Sequence, residues 1–297
     1  MARHDDPELV REYAAEIEFV RALPEADLRE VAELERRVVE ADGGRLKLEW
    51  GILRSRAGQD VQDLLWREGG PVVGFLGLYG FGSETVELSG MVDPSARRRG
   101  IATALLDTAL AICVKRGYQR ALLVVPRGSD GGHALAGRRG AVLEHSEHAL
   151  RLSDDPTEGP TDSRITLRPA ATPDVPELTR LLTAAFGEPH RDLLTQVEDP
   201  SARTLVVEFD GAAVGTVRVT RDHDRAGVYG FAIDPTWQRR GIGRDVLRRV
   251  SYQARAEGAR FVDLEVAVDN DQALGLYTSL GFTPLTTEDY YELPLAR

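Results

Sequence analysis

Two short stretches combine arginine with glycine in a way that suits phosphate binding. Residues 97–102 read RRRGIA and residues 238–243 read QRRGIG, and each follows an apolar strand-like run and precedes a predicted helix. The first N–H groups of a helix have no partner within the helix, and the helix dipole adds partial positive charge there. Gly241 and Gly243 carry no Cβ, so a diphosphate can approach the main chain closely. Both stretches therefore predict a phosphate-binding turn.

Other phosphate-binding motifs fit the two turns less well. A nucleotide P-loop needs Gly-Lys-Ser or Gly-Lys-Thr, which neither stretch contains. A dinucleotide-binding fold needs GxGxxG, and GIGRDV supplies only its first half. An exposed basic turn before an ordinary helix stays the alternative, and the recurrence of the stretch in matched surroundings favours phosphate binding.

The two turns belong to a longer internal repeat with an offset of 141 residues. Without gaps, that offset matches about residues 64–141 with residues 205–282. The matched pairs include Gly70 and Gly211, Gly74 and Gly215, Asp93 and Asp234, Pro94 and Pro235, Gly100 and Gly241, Leu106 and Leu247, Gly117 and Gly258, and Gly140 and Gly281. Turn glycines and helix starts that recur in one register predict two copies of one domain.

The expected domain boundaries follow from composition. Residues 153–164, SDDPTEGPTDSR, lack an apolar period, which predicts a linker between an N-terminal domain, 1–152, and a C-terminal domain, 165–297. In the second copy, the pattern predicts a hairpin turn at residues 210–211, a helix over about residues 242–257 and a final strand near YYELPL. This order of elements indicates an α/β domain with a mixed sheet and flanking helices, present twice.

Composition and charge limit the classes of protein to which the chain can belong. Its 297 residues and 42% hydrophobic content suffice for two domains with cores, and no run is long enough to span a bilayer. A formal net charge of −11 disfavours nucleic-acid binding and mildly favours a cationic substrate. The single cysteine, Cys113, excludes an internal disulfide and a cysteine-cluster metal site. His145 and His148 would face opposite ways on a strand, so no metal is expected. The N-terminus lacks the profile of a secretion signal, so a cytoplasmic protein is expected.

The motifs resemble those of the GNAT superfamily of N-acetyltransferases. The first family motif is Gln or Arg, two residues, Gly, one residue, and Gly or Ala, and it stands here in AIDPTWQRRGIG and GMVDPSARRRGIA. The second signature stands as Asn270, Ala273, Leu276-Tyr277 and Gly281-Phe282. The resemblance covers nearly all of the C-terminal copy, whereas in the N-terminal copy it rests on the turn and the general layout. It implies an α/β (α+β) protein of two tandem GNAT domains, each a mixed, mainly antiparallel sheet flanked by helices.

The resemblance implies that the turn binds the pyrophosphate of acetyl-CoA. The cofactor-binding residues that it implies in the C-terminal copy are Ala232, Ile233, Gln238, Arg239, Arg240, Gly241, Ile242, Gly243, Arg244 and Asn270. In the N-terminal copy the corresponding candidates are Val92, Arg97, Arg98, Arg99, Gly100, Ile101 and Ala102. Asn270 would contact the pantetheine arm or the adjoining backbone, and the main-chain N–H near Ile233 would be the oxyanion donor.

Direct transfer to an amine needs a base for the amine, a donor for the oxyanion and an acid for the CoA thiolate. The resemblance assigns the acid to Tyr277, and the alternative is an aromatic side chain packed under the last turn of its helix. Glu265, twelve residues earlier, is the candidate base, since ribosomal-protein N-terminal acetyltransferases carry a glutamate at this spacing. The alternative for Glu265 is a solvated residue on the polar strand face that it shares with Asp263.

The repeat predicts that only the second copy is catalytic. The positions of the first copy that match Glu265, Asn270 and Tyr277 are Val124, Ser129 and Ala136. All three chemical positions are therefore lost in the first copy, although its turn survives. A catalytically degenerate N-terminal domain is expected, which could still hold acetyl-CoA or serve as a scaffold.

The expected function is the transfer of an acetyl group from acetyl-CoA to a primary amine of a small molecule or of a peptide N-terminus. The tandem arrangement is similar to that of mycothiol synthase. This chain departs from that group at one point: the group carries a glutamate before the strand that leads to its C-terminal turn, and this chain has Gly227 and Val228 there. A non-catalytic acyl-CoA-binding regulatory protein is the alternative. Tyr290 and Tyr291 are expected near the substrate end, and the alternative is packing in the core, which is more frequent for an aromatic residue on a strand. Neither a nucleic-acid nor a membrane partner is expected.

Overall fold

The protein forms two compact units, seen in a computed structural model that describes residues 16–81, 84–187 and 193–295. Within those ranges, the first unit comprises residues 16–146 and 286–295, and the second comprises residues 147–285. Among the described helices, none is both long and apolar enough to cross a bilayer. No group of three or more metal-ligating side chains occurs within the described ranges.

The first unit is a sheet with helices on both faces. Its described elements are β1 (Ile17–Val20), α1 (Glu25–Asp42), α2 (Trp50–Ser55), β2 (Asp63–Arg67), β3 (Val72–Phe81), β4 (Thr85–Val92), α3 (Ile101–Arg116), β5 (Arg120–Pro126), α4 (Asp130–Arg138) and most of β12 (Thr283–Leu293). The strands lie in the order β1-β2-β3-β4-β5-β12, and only β4 and β5 pair in parallel. The sheet is therefore mixed and mainly antiparallel, which confirms the expected fold class.

The second unit repeats this plan. Its described elements are most of β6 (Val142–Leu152), β7 (Ile165–Pro169), α5 (Val175–Phe186), α6 (Leu193–Glu198), β8 (Ala202–Phe209), β9 (Ala212–Asp222), β10 (Arg225–Ile233), α7 (Ile242–Ala256), β11 (Phe261–Ala267) and α8 (Asp271–Ser279). The strands lie in the order β6-β11-β10-β9-β8-β7, and only β10 and β11 pair in parallel. β10 and β11 therefore take the places that β4 and β5 take in the first unit.

Each sheet is covered on both faces by apolar helix surfaces. In the second unit, Val246, Val250 and Ala254 lie one turn apart on α7 and are buried against β10 and β11. This spacing buries one stripe of the helix, as its sequence period predicts. On the opposite face, Leu178 and Leu182 of α5 are buried in a second cluster. Two apolar layers thus fix the sheet whose edge carries the candidate site.

The last strand departs from the expected domain boundaries. The C-terminal domain was expected to run without interruption over residues 165–297, yet β12 continues into the first unit, where Glu288–Leu293 pairs with Ala121–Pro126 of β5. Leu293 lies in the core around α3, and Tyr290 packs with Leu122 and Val124. The apolar pattern of YYELPL specifies a buried strand but leaves its partner strand open.

The segment that composition indicated as a linker belongs to the second unit. Residues 153–164 contain neither helix nor strand, but they lie along α7 and are held by its side chains. Buried Arg248 donates to the main-chain oxygens of Thr157 and Pro160, both at 3.0 Å. Composition indicated correctly that the segment has no regular structure. It did not reveal the hydrogen bonds that fix the segment in place.

Candidate functional site

The two glycine turns have the same backbone conformation. Arg98 and Arg239 both adopt positive φ, at 65° and 61°, which is uncommon for residues with a Cβ. Gly100 and Gly241 are the left-handed N-caps of α3 and α7, with φ of 87° and 81°. The repeat seen in the sequence therefore reflects one turn geometry built twice.

Hydrogen bonds and an ion pair from side chains fix the second turn to the residues around it. Asp234 accepts hydrogen bonds from the main-chain N–H and the hydroxyl of Thr236, at 2.9 and 2.7 Å, and pairs with Arg180 at 2.8 Å. These hydrogen bonds, those from Thr236 first, hold the pKa of the Asp234 carboxyl below its usual value. Gln238, expected to add a donor for phosphate, donates its side-chain N–H to the main-chain oxygen of Ile233 at 3.0 Å. The turn is thus tied to the end of β10.

The second turn keeps its positive charge. Arg239, Arg240 and Arg244 are exposed, and within the described ranges none of them forms an ion pair with a carboxylate. The guanidinium of Arg240 lies 4.6 Å from the ring centroid of Trp237 and donates to the main-chain oxygen of Thr236. An aromatic ring holds such a cation without neutralising it. Trp237 was missed in the sequence, although its place beside the turn was a signal.

The strands before the turn separate at their carboxyl ends. β10 and β11 pair from Arg225 and Phe261 as far as Val228 and Leu264, and no further pairs join the remainder of the two strands. A β-bulge between Tyr229 and Ala232 inserts one extra residue into β10 at this point. Separation of the strands exposes main-chain N–H and C=O groups on both sides of the gap.

The bulge also rotates the end of β10. Ala226 and Val228 face the core around α7, as does Ile233 after the bulge, whereas Ala232 packs in the cluster with Leu182 on the opposite face. Strict alternation would have placed residue 232 on the same face as residues 226 and 228. Ala232 and Ile233, both expected at the cofactor site, therefore owe their orientation to one inserted residue.

Three elements of the predicted motif meet at Gly243, in the first turn of α7. A Cβ placed there would lie 3.5 Å from Cδ2 of Leu276 and 3.5 Å from Cζ of Phe231. The next nearest atom would be Cγ1 of Ile233, at 3.7 Å. The turn, the end of β10 and the helix α8 therefore converge within van der Waals contact of one glycine.

Tyr277 projects from α8 into the core of the second unit. It is 8% exposed and packs against Phe282, with ring centroids 6.2 Å apart. Burial raises the pKa of its hydroxyl to about 12, and none of the described residues forms a hydrogen bond with that hydroxyl. Tyr277 is therefore a protonated phenol at neutral pH, with its donor capacity unused by the protein.

Asn270 has a structural role that the sequence did not predict. Its side-chain oxygen accepts a hydrogen bond from the main-chain N–H of Ala273 at 3.0 Å, so Asn270 is the N-cap of α8. In the first unit, Ser129 caps α4 in the same way through Gly132. A cap satisfies one of the unpaired N–H groups at the start of a helix.

Glu265 lies on the face of β11 turned away from α7. Glu265 and Asp263 are half-buried and alternate with buried Val262, Leu264 and Val266, so the two carboxylates share one strand face as expected. Asp263 forms an ion pair with Arg151 at 2.7 Å. The residue opposite Glu265 on β6 is the fully buried Ala149. The catalytic role of Glu265 stays a prediction.

The corresponding positions of the first unit are apolar or structural. Val124 is buried beside Tyr290, and Ala136 is fully buried in the core around α3. Tyr290, expected near the substrate end, is 1% exposed, and its hydroxyl accepts a hydrogen bond from Lys47 at 2.5 Å. Tyr291 bonds to a ring nitrogen of His133 in the same unit.

Comparison with known families places the chain in a class of proteins that transfer acyl groups. The acetyltransferase (GNAT) family model matches residues 22–141 and 175–282, which is more than half of the chain. The chain belongs to the GNAT family, and it carries that fold twice.

Solved structures with the same fold include other two-domain proteins. A GCN5-related N-acetyltransferase from Sphaerobacter thermophilus has a TM-score of 0.77 at 19% identity, covering 95% of this chain and 96% of that one. A tandem GNAT protein from the clavulanic acid biosynthesis pathway has a TM-score of 0.69 at 21% identity, covering 95% and 99%. A GNAT-family acetyltransferase from Colwellia psychrerythraea has a TM-score of 0.59 at 14% identity, covering 94% and 99%. At these identities the likeness extends to the fold alone.

Proposed function

We propose that the second unit transfers an acetyl group from acetyl-CoA to a primary amine of a small molecule or of a peptide N-terminus. The observation that carries the proposal is the convergence at Gly243 of the charged turn, the open end of β10 and the helix that bears Tyr277. Membership of the GNAT family supports acyl transfer as the reaction. The net charge of −11 supports an amine rather than a nucleic acid as the acceptor.

The residues of the second unit fit an acyl-CoA. The main-chain N–H groups at the start of α7, with Arg239, Arg240 and Arg244 beside them, would hold the diphosphate. The separated ends of β10 and β11 would hold the arm that carries the thioester, because no strand pairs join β10 and β11 beyond Val228 and Leu264. Gly243 lets the start of α7 pack closely against Leu276 and Phe231, which brings the turn next to the end of β10 and to α8.

Each step of amine acetylation then has a candidate group. Acetyl-CoA supplies the acetyl group as a thioester. The Tyr277 phenol gives its proton to the departing sulfur, whose thiol has an ordinary pKa of about 8.5. The main-chain N–H near Ile233 stabilises the negative charge that develops on the carbonyl oxygen. Glu265 accepts the proton that the amine loses, directly or through water.

The proposal is tested by thiol release from acetyl-CoA with a panel of small amines and peptides. We expect amine-dependent release by the wild-type protein and a loss of about 10²-fold or more in Glu265→Gln. The control is Glu87→Gln, which removes a half-buried carboxylate from β4 of the first unit. Equal activity of Glu265→Gln and the wild type removes the proposed base. Absence of release with every amine contradicts the proposed function and favours a non-catalytic acyl-CoA-binding protein.

A further inference from the structure

Two of the three arginines of the first turn, Arg97 and Arg99, are paired with carboxylates. Arg97 forms a bidentate ion pair with Asp42, at 2.8 and 2.7 Å, and Arg99 pairs with Glu68 at 2.8 Å. Asp42 is the last residue of α1, and Glu68 follows β2 directly. Two negative charges therefore lie beside the first turn and are paired with its arginines.

The second turn differs in charge at matched positions. Arg240 matches Arg99 of the first copy, and Phe209 matches Glu68. Phe209 packs against Trp237 with ring centroids 5.2 Å apart, and Arg240 lies over Trp237. An ion pair in the first unit is thus replaced in the second by an aromatic pair that supports the arginine and leaves its charge in place.

The strands beside the two turns differ as well. β4 pairs with β3 without any register shift from Val92 to Thr85. β10 contains the bulge between Tyr229 and Ala232. Before the bulge, each residue of β10 corresponds to the β4 residue whose number is 140 lower, and after the bulge the difference is 141. A bulge leaves one residue outside the regular ladder. The first unit lacks the additional backbone groups that this residue supplies at the gap.

We infer that each chain binds one coenzyme A, at the second turn, and that Asp42 and Glu68 keep the first turn from binding a diphosphate. This inference rests on the proposed function. Exposed ion pairs are individually weak, so their strength alone does not exclude a ligand. The exclusion arises because a diphosphate would have to displace two carboxylates that repel it from the same arginines. The first turn then serves to join α1 to the start of α3.

The test is a calorimetric titration of the full-length protein with coenzyme A. We expect one site per chain in the wild type. Arg239→Gln/Arg240→Gln should weaken binding by about tenfold or more, because it removes two unneutralised cations. The matched control, Arg98→Gln/Arg99→Gln, changes the equivalent positions of the first turn and should stay within about twofold of the wild type. Two sites per chain, or weaker binding only in the first-turn variant, would overturn the inference.

A third variant tests the role of the carboxylates. In Asp42→Asn/Glu68→Gln, the first turn keeps its backbone and gains two unpaired arginines, so we expect a second and weaker binding event. Continued binding at one site would overturn the role assigned to Asp42 and Glu68. Absence of any binding by the wild type would contradict the proposed function as well, whereas two sites in the wild type would contradict only this inference.

Discussion

The side-chain oxygen of Asn270 accepts the main-chain N–H of Ala273 at 3.0 Å and so fixes the start of the helix that carries Tyr277. Tyr277 lies two turns further along the same short helix. Ser129 makes the equivalent cap in the first unit, where the tyrosine position is Ala136. The cap is therefore retained where the phenol is lost, which indicates that it serves the helix itself.

This relationship predicts different effects for two substitutions of Asn270. Asn270→Ala should cost about 1 kcal/mol in free energy of unfolding, because it leaves a helix N–H without a partner. It should lower kcat more than it raises KM for acetyl-CoA, because Tyr277 is displaced. Asn270→Ser should keep both values near those of the wild type, since serine also caps. If both variants lose acetyl-CoA affinity equally, Asn270 contacts the cofactor instead.

Removal of the Tyr277 hydroxyl should affect turnover more than binding. Tyr277→Phe keeps the packed ring and removes the proton donor, so kcat should fall by about 10²- to 10⁴-fold. The dissociation constant for coenzyme A should change by less than about threefold. Steady-state kinetics and calorimetry measure the two quantities. Tyr118→Phe, a partly buried tyrosine of the first unit, is the control for a general loss of stability.

The raised pKa of Tyr277 predicts a loss of stability at high pH. Its pKa is about 12 in the folded protein and about 10 in the unfolded chain, so the folded state holds the proton more tightly between these values. The stability due to this group is fully present below pH 10 and is lost as the pH rises to 12. Between pH 9 and 11 the wild type should lose on the order of 1 kcal/mol more than Tyr277→Phe, about half of the full effect. Parallel denaturant titrations at pH 9 and 11 would compare them, and identical pH dependence would contradict the assignment.

The surroundings of Gly243 predict a size limit. In Gly243→Ala the new Cβ would lie 3.5 Å from its nearest neighbours, an ordinary contact, and the first unit has Ala102 at this position. Alanine should therefore keep coenzyme A affinity within about threefold and stabilise α7 by up to about 1 kcal/mol. Gly243→Val adds methyl groups that must displace Leu276 or Phe231, and affinity should fall by about tenfold or more. Equal binding by both variants would place the ligand elsewhere.

Burial of Tyr290 predicts that the first unit depends on the last strand. Tyr290→Ala should cost about 3–5 kcal/mol in that unit, because it empties a fully buried aromatic position beside Leu122 and Val124. Hydrogen exchange of β5 should accelerate, whereas exchange of β11 should not. Tyr290→Phe is the control, since it keeps the ring and removes the hydroxyl that accepts a hydrogen bond from Lys47. Unchanged exchange of β5 in Tyr290→Ala would contradict the prediction.

Local features of the fold could be predicted from the sequence because they depend on neighbouring residues. The expected hairpin turn is confirmed, with Asp210 and Gly211 both at positive φ, 50° and 80°. The expected helix at residues 242–257 ends one residue earlier, at Ala256. The paired turns were likewise visible because glycine is needed where the backbone is left-handed.

Features that depend on distant residues could not be predicted in this way. The partner of the last strand is set by packing against β5, and no local pattern encodes it. The hydrogen bonds from Arg248 to residues 157 and 160 depend on how the chain returns over α7. The bulge in β10 left a trace, because the offset between the repeats changes by one residue there. An alignment of the two copies that allows gaps could have found the extra residue. The ungapped alignment concealed it, because a shorter hairpin turn before β10 compensates for that residue.

The position of β12 has a consequence for biosynthesis. Leu293 and its neighbours complete the sheet of the unit whose other strands are translated first. While the ribosome is still making the second copy, the earlier unit has an unsatisfied edge at β5, where the missing partner should pair. Its final consolidation has to wait until β12 has left the exit tunnel. A nascent chain arrested just before residue 286 should therefore be protease-sensitive in its older half.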